Sequence, residues 1–195
     1  MSLDQRKENL KKVNNIHQEL INACKINDRK AQYEIYKLYY KAMYNTAIRI
    51  LGSPVEAEDV MQESFLDAFR KIGSYVEKAT FGAWLKRIVI NNSIDVLKGR
   101  QSFESIHDKE IEIEDEPIDE NPIEILSYKT DNIRKSIESL PDRYRIILSL
   151  YLLEGYDHEE ISKILNMNHG AVRTKYSRAK QKLLKELSNK SKTLL

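Results

Sequence analysis

The chain is poor in the residues that most small compact folds rely on. It has one cysteine, Cys24, so no disulfide framework and no cysteine-based metal site can form within it. Its histidines, His17, His107, His158 and His169, are scattered and lack metal-ligand spacing. Glycine and proline number six and four in 195 residues, and most fall between amphipathic runs, which argues against a sandwich or barrel. No glycine-rich phosphate loop occurs. The expectation is a protein without catalytic residues, metal or cofactor. The opening MSLDQRKENLKK lacks the apolar stretch of a signal peptide, and no uncharged apolar run reaches membrane-spanning length. A soluble, cytoplasmic chain is expected. Charge of one sign is also missing overall, with a net charge of +2, but the charges are unevenly spread and the average hides this.

What the sequence does have is helical periodicity. From about Ala31 to Leu51, residues Tyr36, Tyr39, Tyr40, Met43, Tyr44, Ala47, Ile50 and Leu51 recur at three- and four-residue spacing. A weaker pattern (Ile16, Leu20, Ile21, Cys24) suggests a helix before it. Gly52 ends the long run. Ser53-Pro54-Val55-Glu56 then reads as a capping box with proline at the first helical position. Val60, Ser64, Phe65, Ala68, Phe69 and Ile72 form the buried side of that helix, and Gly73 stops it. Thr80 caps a further helix, FGAWLKRIVINNSIDVLKGR, in which Phe81, Trp84, Leu85 and Ile88 are expected inside and Lys86, Arg87, Asn91, Lys98 and Arg100 outside.

Composition then breaks. From Gln101 to Glu124 acids dominate, Lys109 is the only Lys or Arg, and Pro117 and Pro122 interrupt any helix. Like charges repel and too little apolar surface is available to offset the entropy of ordering, so a flexible acidic linker is expected. A second helical unit follows. Leu126, Ile133, Ile137 and Leu140 mark one helix, and Pro141 opens another with Tyr144, Ile147, Leu148, Tyr151 and Leu152 inside. Asp157 and Glu160 form a capping box for a short helix carrying Ile161, Ile164 and Leu165. Asn166 to Gly170 make a tight turn. A last helix buries Val172, Tyr176, Ala179, Leu183 and Leu187.

A short capped helix, a tight turn and a longer helix describe a helix-turn-helix, whose second helix lies in the DNA major groove. The outward side of that helix is expected to carry Arg173, Thr174, Lys175, Ser177, Arg178, Lys180, Lys182 and Lys185 against one acid, Glu186. A solvated basic helix would look similar by itself; the preceding cap and turn favour DNA. Arginine can grip guanine edges through two hydrogen bonds.

The stretch SLPDRYRIILSLYLLEGYDHEEISKILNMNHGAVRTKYSRAKQKLLKEL resembles the C-terminal, minus-35-reading domain of sigma-70 family proteins. AQYEIYKLYYKAMYNTAIRILGSPVEAEDVMQESFLDAFRKI with FGAWLKRIVINNSIDVLKGR resembles the N-terminal domain of the same family. With nothing corresponding to the domain between these in larger members, the likeness is to the extracytoplasmic-function group. It implies an all-α chain of two small domains, 16–100 and 126–190, joined by an acidic linker over 101–125. It also implies promoter DNA, core RNA polymerase (clamp coiled coil and flap) and an anti-sigma factor as partners. Residue by residue, it implies that Asp59, Gln62 and Glu63 meet the polymerase. Tyr75, Lys78, Lys86, Arg87, Asn91, Lys98 and Arg100 would serve the minus-10 element, with Asn91 at the floor of a pocket for a flipped base. Arg173, Thr174, Lys175, Ser177 and Arg178 would serve the minus-35 element. Cys24 is expected to be a buried, inert thiol. A regulator pairing the same DNA-binding unit with a sensory half is the rival reading, and the stretch WLKRIVINNSID argues against it. An interaction scaffold whose basic face binds acidic protein is more distant.

Overall fold

The structure, a computed structural model, describes residues 17–76, 79–100 and 128–192. The acidic stretch 101–125 and Lys78 lie outside the described residues. Among the described residues every regular element is helical. Helix α1 covers residues 17–25. It is followed by α2 (Arg29–Leu51), α3 (Pro54–Lys71), α4 (Phe81–Gly99), α5 (Thr130–Glu138), α6 (Asp142–Leu148), α7 (His158–Leu165) and α8 (His169–Lys192). A 3-10 turn, Ile72–Ser74, closes α3, and α6 runs on into a π-helical stretch, Ser149–Leu153.

Helix ends fall where local chemistry sets them. The Asp28 carboxylate accepts from Lys30 N at 2.7 Å and Ala31 N at 3.2 Å, which satisfies free donors at the start of α2. Gly52 follows α2 at φ +69°, a left-handed conformation that side chains resist. The Thr80 hydroxyl accepts from Ala83 N at 3.3 Å and starts α4. At α3 the Glu56 amide donates to Ser53 Oγ at a long 3.5 Å, while the Glu56 carboxylate is taken by Arg100 in place of the second bond of a capping box.

The chain divides into two compact units, residues 1–47 with 57–92, and residues 48–56 with 93–195. The C-terminal ends of α2 and α4 therefore belong to the second. In the first unit an aromatic seam ties the helices together. Tyr36 meets Phe65 edge-on at 5.0 Å, Tyr39 meets Phe81 at 5.4 Å, and Tyr75 meets Phe81 at 5.5 Å. Such edge-to-face pairs add about 0.5–1.5 kcal/mol each beyond the area they bury. Helix α4 departs from the expected stripe. Phe81 and Leu85 are buried, but so are Val89, Ile90, Ser93, Ile94 and Leu97, whereas Trp84 and Ile88 are half-exposed. The helix is covered round most of its circumference, which leaves a narrow exposed strip along Arg87, Asn91, Asp95 and Lys98.

In the second unit α8 buries Val172, Tyr176, Ala179, Leu183 and Leu187, the five residues its spacing picks out. Lys180 is buried with them at 4% exposure, which corrects its assignment to the outward side. A helical turn of 3.6 residues puts it only about 80° from Val172, inside the covered sector. Helix α6 also differs. All of Arg145 to Leu150 is buried, while Tyr144, Tyr151 and Leu152 are half-exposed. Arg145 is held by four acceptors: Ile50 O at 3.3 Å, Leu51 O at 2.9 Å, Leu140 O at 3.1 Å and Asp142 Oδ1 at 2.6 Å. Ser149 Oγ donates to Arg49 O at 3.0 Å. The last carbonyls of α2, which have no acceptor role within their own helix, thus find donors in α6 and its π-helical extension.

Candidate nucleic-acid interface

The helix-turn-helix forms as its residues require. Asp157 Oδ1 accepts from Glu160 N at 2.7 Å, and Glu160 Oε2 accepts from Asp157 N at 3.0 Å, so the capping box of α7 is complete. Asn166 adopts φ 53°, one of the few non-glycine residues that tolerate this region, and ends α7. Asn168 Oδ1 then accepts from Gly170 N at 2.8 Å to start α8. Below the turn, Tyr151, His158 and Tyr176 pack ring against ring, with centroids 4.5–5.0 Å apart. This cluster fixes the angle at which α8 leaves α7.

On α8, Thr174 is exposed and its hydroxyl bonds back to Gly170 O at 3.1 Å, while Arg173, Lys175, Ser177 and Arg178 are half-buried. All five lie on the N-terminal half of the helix, the part that enters a groove in this motif. Burial first, and then the guanidinium groups of Arg178 and Arg143, hold the Lys175 ammonium below its ordinary range. Arg143, exposed in the first turn of α6 with its guanidinium 4.9 Å over the Tyr144 ring, is a cation the sequence reading did not draw into this group. Nothing in its spacing marks it, because it comes from another helix.

The residues expected at a second nucleic-acid surface separate into three kinds. Arg87 and Asn91 are exposed one turn apart on the first-unit part of α4, and Lys98, exposed on the part of α4 that belongs to the second unit, has its ammonium 3.3 Å from Asp95. Lys86 is half-buried off that strip. Tyr75 is a core residue at 6% exposure. Its ring lies 5.4 Å from Trp84, and its hydroxyl donates to Ala79 O at 2.8 Å. It therefore ties Ala79, just before α4, to the core, and Trp84 is the ring that reaches solvent beside Arg87 and Asn91. Arg100 belongs to the second unit, and its guanidinium is engaged by Glu56, Asp142 and Leu51 O. Lys78 lies outside the described residues.

A third surface lies on α3. Asp59, Gln62 and Glu63 are all exposed along one side, with Leu66, itself exposed at 51%, between them and Arg70. Arg70 reaches Glu63 at 3.2 Å and Asp67 at 3.1 Å, and Lys71 reaches Asp67 at 3.3 Å. Exposed pairs of this sort contribute about 0–1 kcal/mol and yield readily to a partner. Among the described residues no cluster of His, Cys, Asp and Glu could hold a metal ion. None of the described helices is long and apolar enough to cross a membrane.

Comparison with known proteins gives two family matches in chain order, sigma-70 region 2 over residues 35–103 and sigma-70 region 4 over residues 130–183. The chain is 30% identical over 178 residues to the ECF RNA polymerase sigma factor SigW of Bacillus subtilis, covering 86% of this chain and 94% of the relative. It is 31% identical over 162 residues to the ECF RNA polymerase sigma factor SigE of Mycolicibacterium smegmatis, covering 81% of this chain and 62% of that one. Among solved structures, the sigma factor RpoE of Bartonella quintana, determined in complex with the anti-sigma factor NepR, superposes with a TM-score of 0.52 at 22% identity. The match covers 80% of this chain and 96% of that one.

Proposed function

The chain belongs to the sigma-70 family, in its extracytoplasmic-function group, and from that premise we propose how its surfaces divide the work of transcription initiation. As a sigma factor it binds core RNA polymerase, recognises promoter DNA and starts DNA-templated transcription. The chemistry of nucleotide addition belongs to the polymerase. Of the proposed assignments, the minus-35 one carries the most weight. Its observation is the cation-rich N-terminal half of α8, set on a complete capping box and a tight turn. Arg173 and Arg178 would supply two-pronged contacts to base edges or phosphate, Thr174 and Ser177 short hydrogen bonds, and Lys175 a phosphate contact.

Melting at minus-10 would use the exposed strip of α4. Arg87 and Lys98 would hold backbone phosphates. Asn91 would hydrogen-bond the edge of an extruded base, and the partly exposed Trp84 ring would stack on one. The α3 side bearing Asp59, Gln62 and Glu63 suits a basic helical partner, which is the reading for the clamp coiled coil of the polymerase. Region 2 and region 4 would be the domains of 16–100 and 126–190, and the acidic stretch 101–125 the connector between them. An anti-sigma factor would cover part of these surfaces, and the site of action would be the cytoplasm.

The test is run-off transcription with core polymerase on a promoter mapped for this factor. Arg173→Ala and Arg178→Ala should each lower initiation, at about 1–3 kcal/mol per lost contact. Wild-type initiation by both would remove α8 from the promoter.

A further inference from the structure

One carboxylate in the second unit is shared by two arginines of opposite character. Asp142 Oδ1 accepts from Arg145 at 2.6 Å, and Asp142 Oδ2 accepts from Arg100 at 2.8 Å. The Arg145 side chain is 7% exposed and spends its other donors on backbone carbonyls, so it is a fixed part of the fold. The Arg100 side chain is 26% exposed, and its acid partners Glu56 and Asp142 are 36% and 25% exposed. Arg100 Nε donates to Glu56 Oε1 at 3.2 Å, and Nη2 donates to Glu56 Oε2, so the guanidinium fork sits on the two oxygens of one carboxylate. A phosphodiester offers the same fork two oxygens at similar spacing, with a full negative charge.

We propose that Glu56 and Asp142 are internal competitors for Arg100, which they hold in the free factor and release to a DNA backbone phosphate when promoter is bound. The proposal rests on the reading, implied by the family resemblance, of Arg100 as a residue of the minus-10 surface, taken here as a contact to backbone phosphate. The geometry supports exchange rather than permanent pairing. Partly exposed ion pairs contribute little and are screened by salt, so a phosphate brought close by the rest of the interface can displace them. Leu51 O, which also accepts from Arg100 Nη1 at 3.4 Å and Nη2 at 3.3 Å, keeps its shorter bond from Arg145 when Arg100 leaves. No buried carbonyl is stranded by the exchange. Glu56, in the first turn of α3, keeps a favourable place at the positive end of that helix after losing its partner.

The experiment measures binding of holoenzyme, assembled from core polymerase and the full chain, to forked promoter DNA with a single-stranded minus-10 segment. Three variants and one double variant are compared at two ionic strengths. Glu56→Gln keeps the shape and removes the competing charge, and should tighten binding by roughly two- to fivefold at low salt, less at high salt. Asp142→Asn, which can still accept from Arg145, should act in the same direction. Arg100→Ala should weaken binding, and Glu56→Gln added to it should bring no gain. If Arg100→Ala weakens binding while Glu56→Gln and Asp142→Asn leave it unchanged or weaker, the competition is overturned and the phosphate contact stands. If Arg100→Ala binds like wild type, the phosphate contact itself is wrong and the competition falls with it.

Discussion

Gly52 and Arg145 make a pair whose energies can be worked from distances. A Cβ on Gly52 would lie 2.7 Å from Arg145 Cζ and 2.9 Å from both terminal nitrogens, and the residue sits at φ +69°. Gly52→Ala therefore carries about 1–2 kcal/mol for the left-handed backbone, and a further cost for pushing the guanidinium off its acceptors. Arg145→Ala removes four hydrogen bonds from a site 6% exposed. Leu51 O and Asp142 keep Arg100, but Ile50 O and Leu140 O lose the donor from Arg145, at about 1–3 kcal/mol for each buried group left unsatisfied. A loss of about 3 kcal/mol is expected, a large share of a total that is typically about 5–15 kcal/mol. Urea unfolding followed by far-UV circular dichroism reads this as a midpoint shift of about 1–3 M. In the double variant no guanidinium remains to be displaced, so the steric part of Gly52→Ala vanishes. The two changes should together cost at least about 1 kcal/mol less than their sum. Additivity within about 0.5 kcal/mol would refute the contact as drawn.

Other expectations can be checked more quickly. Asp157→Ala removes the side-chain half of the α7 capping box, the bond from Glu160 N, while its own amide can still donate to Glu160. It should cost about 1 kcal/mol, read as an earlier thermal melt of the full chain with weaker promoter binding. Burial first, and then Asp28, push the Cys24 thiol up to about 11, which lowers its thiolate fraction by about a hundredfold. The native protein should react with an aromatic disulfide reagent far more slowly than the urea-unfolded chain, and equal rates would place the thiol at the surface. Asn91→Ala should slow strand opening on duplex promoter, detected by permanganate, and be partly rescued on a template already melted at minus-10. Full melting by the variant on duplex would take Asn91 out of the pocket. Asp59→Lys with Glu63→Lys should weaken core polymerase binding at unchanged helicity, since both side chains are exposed; unchanged affinity would clear α3 of the role.

How legible these features were in sequence depended on how many sides of each helix are covered. Helix α8 has one apolar stripe, and its five buried apolar residues can be read directly from their spacing. At Lys180 charge points outward but position on the wheel points inward, and position decides. A lysine can bury its stem along an apolar face, and this one is covered almost completely. In α4 and α6 burial wraps round the helix, so the first two turns of α4 suggest a stripe that the next three turns do not keep. Arg145 gave no signal at all. Three of its four partners are backbone carbonyls, which any sequence would offer, and two of those lie about ninety residues earlier in the chain. Tyr75 was legible as an aromatic near the α4 loop, but its side was not, since that depends on Ala79 O standing in reach of its hydroxyl.

The cations on the N-terminal half of α8 are not all free in water, which sets this helix apart from one that is merely solvated. A lysine that merely solvates a helix extends into water and keeps its ordinary acidity. Lys175 is instead half-buried, with burial and then Arg178 and Arg143 making its charge harder to keep. Arg143 stands, moreover, in the first turn of α6, where the helix dipole disfavours a cation. Each of these placements works against the free protein. All of them turn favourable if a polyanion lies across α6 and α8, because phosphate then offsets the mutual repulsion and the cation at the helix start together. Arg143→Ala should accordingly weaken promoter binding to a similar degree across upstream sequences and lower the salt slope by about one. Arg173→Ala should instead change which sequences are preferred. If Arg143→Ala left both affinity and salt slope as in wild type, the crowding would be a local accident of packing, and the polyanion would have to be sought on α8 alone.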